Sequence, residues 1–255
     1  MMWRDRGLIA MCVFMICAKA CLAQGSAGSG AKFEPRTLVD MPTAGMLDKG
    51  SFALDINFYQ DGGALLGFSV GVFDRVDLGI SYGGSRLIGP DDPVMNVVPG
   101  FIVKVRLLEE QMFLPALAVG FDSQGKDGYL KDLDRYVVKS PGFFVAVSKN
   151  YVFLGFLSIH GGVNYSLERA DGDRNANAYA GIEKTLGPFV SAIGEYNIAA
   201  NDGGLGKGRG YLNAAMKWSI SGGLTLGINF KDLLKNRGQV TVADRTVSIE
   251  YIRFF

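Results

Sequence analysis

The feature that most constrains this chain is a period-two alternation that recurs along its length. Phe52, Leu54, Ile56 and Phe58 are apolar, and Ala53, Asp55, Asn57 and Tyr59 lie between them. Leu224, Leu226, Ile228 and Phe230 alternate with Thr225, Gly227 and Asn229, and Leu212, Ala214, Met216 and Trp218 with Asn213, Ala215 and Lys217. Val76, Leu78, Ile80 and Tyr82 do the same against Arg75, Asp77, Gly79 and Ser81. Successive side chains of a strand point to opposite faces, so each segment is a ribbon with one greasy side. A soluble sheet alternates too. Here, however, the hydrophilic side is mainly Gly, Ser, Asn and Thr with scattered charge, and Tyr, Phe or Trp gathers towards strand ends. That is the pattern of a sheet whose apolar band meets lipid between aromatic girdles. In hydrocarbon an unpaired backbone N–H or C=O costs several kcal/mol, and a sheet avoids this only by closing on itself. A one-residue slip would turn charges into lipid, so register is tightly specified.

The expected fold is therefore all-β: a closed antiparallel transmembrane β-barrel of about twelve strands, within a range of ten to fourteen. The strands are placed at 51–59, 64–73, 75–83, 97–107, 112–122, 141–149, 151–166, 176–185, 188–199, 209–219, 222–230 and 244–255. Most have the ~9–11 residues that a tilted strand needs to cross a bilayer. The links test this independently. Those at 84–96, 123–140, 167–175, 200–208 and 231–243 are long and polar. Those at Asp74, 108–111, Asn150, 186–187 and 220–221 are short. Long loops on one side and tight turns on the other are the rule for such barrels, and an even strand count brings both termini to the tight-turn side. The first link, Gln60-Asp61-Gly62-Gly63, is short for an outer loop.

Residues 1–23 read as a secretory signal peptide. Arg4 and Arg6 precede the apolar run 7–18, which is too short to span a bilayer, and small residues stand at Cys21 and Ala23. Residues 24–50 are expected to be a periplasmic linker or a small plug, and 51–255 the barrel. All three cysteines, Cys12, Cys17 and Cys21, fall in or beside the leader, so no cysteine-based metal site or disulfide is expected in the body. The formal net charge of +1 gives no reason to expect a nucleic-acid partner. No cofactor or metal is expected, and the oligomeric state is left open.

The chain ends in Val247, Ile249, Tyr251 and Phe255 at alternate positions. This resembles the closing strand of Gram-negative outer-membrane barrels. The resemblance covers about 51–255. It implies an outer-membrane location, contact with outer-membrane lipid and lipopolysaccharide, and reading of these residues by the barrel-assembly machinery. Arg253 departs from that pattern. The stretch Met41-Pro42-Thr43-Ala44-Gly45-Met46-Leu47, followed by Gly50 and a strand, resembles the opening of YjbH-type proteins linked to exopolysaccharide export.

Parity assigns Asp55, Arg75, Asp77, Lys104, Arg106, Asp122, His160, Asn164, Glu183, Glu195, Lys217 and Glu250 to the interior. These mixed charges either line a water-filled channel or pair across it and close it; a narrow or occluded interior is favoured. Lys104 and Arg106 are the leading candidates for contact with an anionic solute. Ser158, His160 and Asn164 share residue types with outer-membrane phospholipases. Their order and inward face differ, and same-face i,i+2 side chains stand about 7 Å apart on a strand, so no catalytic residue is assigned. Asp171 to Asn177 echoes a calcium loop without its glycine. Gly203 to Gly210 echoes a phosphate loop without its Ser or Thr. Both are read as outer loops. The expected function is a pore or transport component for small polar solutes or an exported polymer. The alternatives are a non-conducting envelope scaffold or export accessory and, remotely, a lipid hydrolase.

Overall fold

The computed structural model describes residues 25–203, 210–237 and 243–255. The leader 1–23 with its cysteines, and most of the glycine-rich stretch 203–210, lie outside them. In chain order the strands are β1 (Ser51–Tyr59), β2 (Gly63–Val72), β3 (Val76–Ser85), β4 (Val94–Met95), β5 (Gly100–Leu108), β6 (Ala116–Asp122), β7 (Lys126–Leu130), β8 (Arg135–Val138), β9 (Gly142–Val152), β10 (Phe156–Tyr165), β11 (Asn177–Thr185), β12 (Val190–Asn197), β13 (Tyr211–Ser221), β14 (Leu224–Lys231) and β15 (Asp244–Phe254). The main sheet has 13 strands, of which the two-residue β4 caps the end of β3; the other twelve form a ring, and β7–β8 is a separate hairpin. β15 pairs with β1 from Ser51↔Phe254 to Phe58↔Val247, and β2 pairs with β3, so the ring has no free edge.

The greasy side faces out. Ile80 is 56% exposed, Met216 51%, Trp218 53% and Ile228 54%. Leu224, Leu226 and Ile228 are not sandwiched between stacked sheets; they belong to one cylindrical sheet with lipid-facing apolar side chains. The buried side is largely polar, including Ser148, Asn164, Ser191, Asn213 and Thr225.

Several boundaries differ from expectation for local reasons. β5 begins at Gly100 and β6 at Ala116 rather than at 97 and 112. Pro99 and Pro115 immediately precede them and have no ladder N–H to give. β9 continues through Asn150 and reverses at Phe153–Gly155, where Leu154 (φ 46°) and Gly155 (φ 101°) supply the left-handed turn. β13 likewise extends to Ser221, and Gly222-Gly223 make the reversal. The first hairpin is short because Asp61 and Gly62, both at φ 58°, form a two-residue turn suited to strand twist. The Arg86 and Leu87 N–H groups then donate to Asp61 and Gly62 carbonyls at 2.7 and 3.0 Å, so the next loop covers this tip.

Residues 25–28 and 33–47 run inside the ring, while 29–32 are exposed at its mouth, where the Ser29 and Gly30 N–H groups donate to the Gly187 and Pro188 carbonyls. Ser26 to Gly28 lie at the short-turn mouth, where Ala27 N–H donates to Ser219 Oγ at 2.9 Å and Gly28 N–H to Ser191 Oγ at 2.9 Å. The chain rises to a reversal at Leu38–Met41, closed by Leu38 N–H to Met41 O at 2.9 Å and Thr43 N–H to Arg36 O at 3.0 Å. It then descends to Gly50, whose N–H donates to Gly71 O at 3.1 Å beside the short turn. The segment is thus a hairpin inserted from one mouth, a plug rather than an external linker.

Candidate functional site: the plugged lumen

The plug is held by inward side chains from strands around the wall. At its tip, the N–H groups of Val39, Asp40 and Met41 all donate to Glu195 Oε2, at 3.0, 2.9 and 2.9 Å. Asn213 Nδ2 donates to the other carboxylate oxygen at 2.7 Å. Three backbone donors converging on one oxygen form an anion nest, which satisfies the Glu195 carboxyl where it is almost fully buried. Leu38 and Met41 pack with Tyr179, Ile193 and Ala215 of the wall and with Val138 of β8.

Lower down, Arg36 solves an electrostatic conflict. Asp55 and Glu250 are directly opposite across β1 and β15, an arrangement that like charges disfavour. Arg36 Nη2 bridges them, 2.7 Å from Asp55 Oδ1 and 2.9 Å from Glu250 Oε1. Two strands along from β15 on the same side of the ring, on β13, Lys217 Nζ donates to the Thr37 carbonyl at 2.9 Å.

The descending arm is the Met41–Leu47 motif, and the wall meets nearly every peptide group in it. Tyr179 Oη donates to Pro42 O at 2.8 Å, and Ala44 N–H donates to Ser148 Oγ at 3.0 Å. Arg106 Nη2 donates to Ala44 O at 2.7 Å, and Lys104 Nζ to Gly45 O. Leu47 N–H donates to Asp77 Oδ1 at 3.1 Å. Thr43 Oγ1 donates back to Pro35 O and accepts Gly45 N–H, binding the two arms together. Gly45 is required by proximity: a Cβ there would lie 2.2 Å from Pro35 O.

A second closure comes from the long-loop side. The β7–β8 hairpin is fastened by Arg135, which is fully buried and pairs with Asp171 at 2.7 Å and Asp202 at 2.6 Å. Lys139 also pairs with Asp171 at 2.7 Å. Asp127 pairs with Lys231 at 2.9 Å, and Lys231 with Asp40 of the plug tip at 2.7 Å, so hairpin, wall and plug share one ionic chain. Burial alone would raise the Asp171 pKa, but hydrogen bonds from Lys139 and Arg135 outweigh it and hold the carboxyl below its usual range. Asp127 is likewise depressed: Lys231 and Arg237 overcome its burial.

The twelve residues assigned to the interior therefore divide by position. Asp77, Lys104, Arg106, Glu195 and Lys217 hold the plug backbone; Asp55 and Glu250 hold Arg36. Lys104 and Arg106 are thus committed, with Lys104 3.9 Å from Asp77 and Arg106 3.0 Å from Glu109, and neither offers an open cationic face to an anion. Asn164 joins a ladder, accepting Asn177 Nδ2 at 3.0 Å, and Asn177 Nδ2 reaches Asn197 Oδ1 at 2.8 Å. Asp122 Oδ1 accepts Gln124 N–H at 2.8 Å, and Glu183 is buried. His160 Nδ1 lies 2.8 Å from Ser148 Oγ, while Ser158 donates instead to Asn150. Arg75 is the exception: it sits in the tight turn after β2, 59% exposed and 3.9 Å from Glu109, because the strand has ended before it. The echo of a calcium loop is spent on protein partners, since Asp171 holds Arg135 and Lys139 and Asp173 accepts N–H groups of Asn175 and Gly203 at 3.0 Å each.

Parity within strands did not bring Glu34, Arg36 or Asp40 to attention. A signal was available: six carboxylates stood against four cations in the interior set. That excess called for a cation from elsewhere, and Arg36 supplies it.

Among known families, the one described as exopolysaccharide biosynthesis protein YbjH (YjbH) matches residues 30–140, which span the plug and β1 to β8. No curated protein matches. A solved KdgM porin superposes with a TM-score of 0.52 at 11% identity, covering 80% of this chain and 99% of that one. A NanC porin structure gives 0.45 at 8% identity, with coverage of 80% and 99%. The chain is a twelve-stranded membrane β-barrel of porin-like architecture, and the stretch similar to the YjbH family takes in most of its plug together with the wall strands up to β6 and the β7–β8 hairpin.

Proposed function

We propose that this barrel stands in the outer membrane of a Gram-negative cell as a pore or transport component for small polar solutes or an exported polymer, and that the plugged form is its closed state. The observation that carries the reading is the plug itself. It crosses a hydrophilic lumen as an inserted hairpin held mainly by side-chain hydrogen bonds and ion pairs, and it adds no strand to the wall. The apolar belt is suited to lipid, with lipopolysaccharide in the outer leaflet, and the tight-turn mouth is the periplasmic one. Polymer as cargo takes support from the description of the family that matches 30–140. Val247, Ile249, Tyr251 and Phe255 supply the terminal pattern for the assembly machinery.

The test is current across planar bilayers. The mature chain is expected to conduct rarely or weakly, and a variant lacking 26–47 to open a steady conductance. Silence from both, with the variant folded, would favour a second reading, a non-conducting scaffold in polymer export. The near-complete bonding of the plug speaks for that alternative. Lipid hydrolysis has no comparable support: Ser148, the hydroxyl beside His160, is 7% exposed, faces inward and is occupied by Ala44 N–H.

A further inference from the structure

Between the plug and the wall at the short-turn mouth lies a cavity of about 190 Å³, lined by Glu34, Ala44, Arg106, Glu109, Asn150 and His160 among others. Glu34 and Glu109 are about half exposed, so it opens outward. Two deeply buried side chains on its wall carry nitrogens without a hydrogen-bond partner among the described residues: His160 Nε2 and Arg106 Nε.

The histidine tautomer follows from its neighbour. Ser148 Oγ accepts Ala44 N–H, and its own proton has one acceptor in reach, His160 Nδ1 at 2.8 Å. The ring proton therefore sits on Nε2, which makes that atom a buried donor. The cavity is thus lined by the two residues that carry these buried N–H donors, His160 and Arg106, and by three carboxylates: Glu34 and Glu109, which pair with Arg106, and Glu110, which accepts Asn150 N–H and Nδ2. An anion would satisfy the donors but face three carboxylates. An ammonium would satisfy the carboxylates but could accept nothing from His160 or Arg106. A hydroxyl group does both. The volume is below the ~300–1,000 Å³ of drug-sized sites, which suits a single ring-sized unit.

We propose that this cavity binds a neutral, polyhydroxylated saccharide unit presented from the short-turn side, with His160 Nε2–H and Arg106 Nε–H donating to its oxygens and Glu34, Glu109 and Glu110 accepting from its hydroxyls. The assignment rests on the reading of the barrel as a carrier of polar cargo. An occupant at Nε2 joins the plug through a continuous run of hydrogen bonds, Nδ1 to Ser148 Oγ to Ala44 N–H.

His160 is the single histidine, so selective ¹⁵N-histidine labelling of the mature chain in detergent micelles reports this site alone. Maltotetraose and cellotetraose are titrated as neutral probes, with glucuronate and glucosamine as charged ones. The expected result is a saturable shift of the Nε2–H resonance by a neutral probe, with the charged ones weaker. By calorimetry His160→Phe should weaken binding about tenfold, the loss expected for one buried hydrogen bond. Ala116→Leu, which narrows the cavity while leaving His160 in place, should weaken it as well. Heat-modifiable migration checks that both variants are folded. No saturable shift with either neutral probe, tighter binding of a charged probe, or unchanged affinity in both folded variants would overturn the proposal. The titration requires no current, so its failure and a failure to conduct are separate outcomes.

Discussion

Single residues carry most of what holds the plug. Glu195 accepts three backbone N–H groups that otherwise have no partner at the hairpin tip. Hydrogen bonds to a charged group are worth about 1.5–3 kcal/mol each, and buried donors left unsatisfied add to the loss. Glu195→Ala is therefore expected to free the tip by at least roughly 3 kcal/mol, whereas Glu195→Gln, which keeps an acceptor oxygen, should do less. Protease cleavage between 36 and 43 and the frequency of channel openings measure both. Gly45→Val should act similarly by a different cause, because its side chain would collide with the Pro35 carbonyl. On the outside, Ile228→Lys places a charge in lipid, and near the bilayer midplane this costs about 2–4 kcal/mol. Folding titrations into liposomes are expected to show that loss, with single-channel behaviour unchanged in the folded fraction.

At the scale of elements, the outer hairpin β7–β8 is governed by Arg135. Removing one partner from a buried ion pair costs about 3–5 kcal/mol because the other charge stays behind. Arg135→Ala is expected to make 123–141 a proteolytic target while the twelve wall strands keep their heat-modifiable migration. Acid should do the same reversibly. Asp171 and Asp127 have folded pKa values below their ordinary ones. Their contribution is therefore complete above the unfolded value and fades as pH falls through the folded one, so the fastening holds at neutrality and loosens below about pH 4. Constant cleavage of this loop from pH 7 to pH 3 would contradict it. The wall strands were legible in advance because alternation, length and link spacing each reported the same register; Leu224 to Phe230 is the plainest case. The reversals after β9 and β13 were misplaced by a few residues because Asn150 and Ser221 have turn-like chemistry but continue their ladders, while glycines just beyond them make the turn. The plug was the least legible element. Its backbone is satisfied by side chains distant in sequence, Glu195 lying 156 positions from Val39, so it has no periodicity of its own.

For the molecule as a whole, most of the charges that parity assigns to the interior serve the plug, while Arg75 sits in a turn. What parity could not reveal was that their partners lay upstream of the first strand. Deleting Phe255 removes its N–H bond to Gly50 O at the base of the plug but leaves the contacts of 36–47 in place once folded, and it should reduce the yield of assembled barrel, measured as the heat-modifiable fraction in outer membranes; an undiminished yield would remove the terminal residue from the assembly signal. The two arms of the 36–43 hairpin come and go through the same opening, with Ser26 beside Ser219 and Gly50 beside Gly71. Topologically this is a finger in a ring and not a thread through it. Unblocking the conduit therefore requires neither scission of the chain nor rupture of any seam between staves: withdrawal from one side breaks only non-covalent ties, and these can form again when the finger returns.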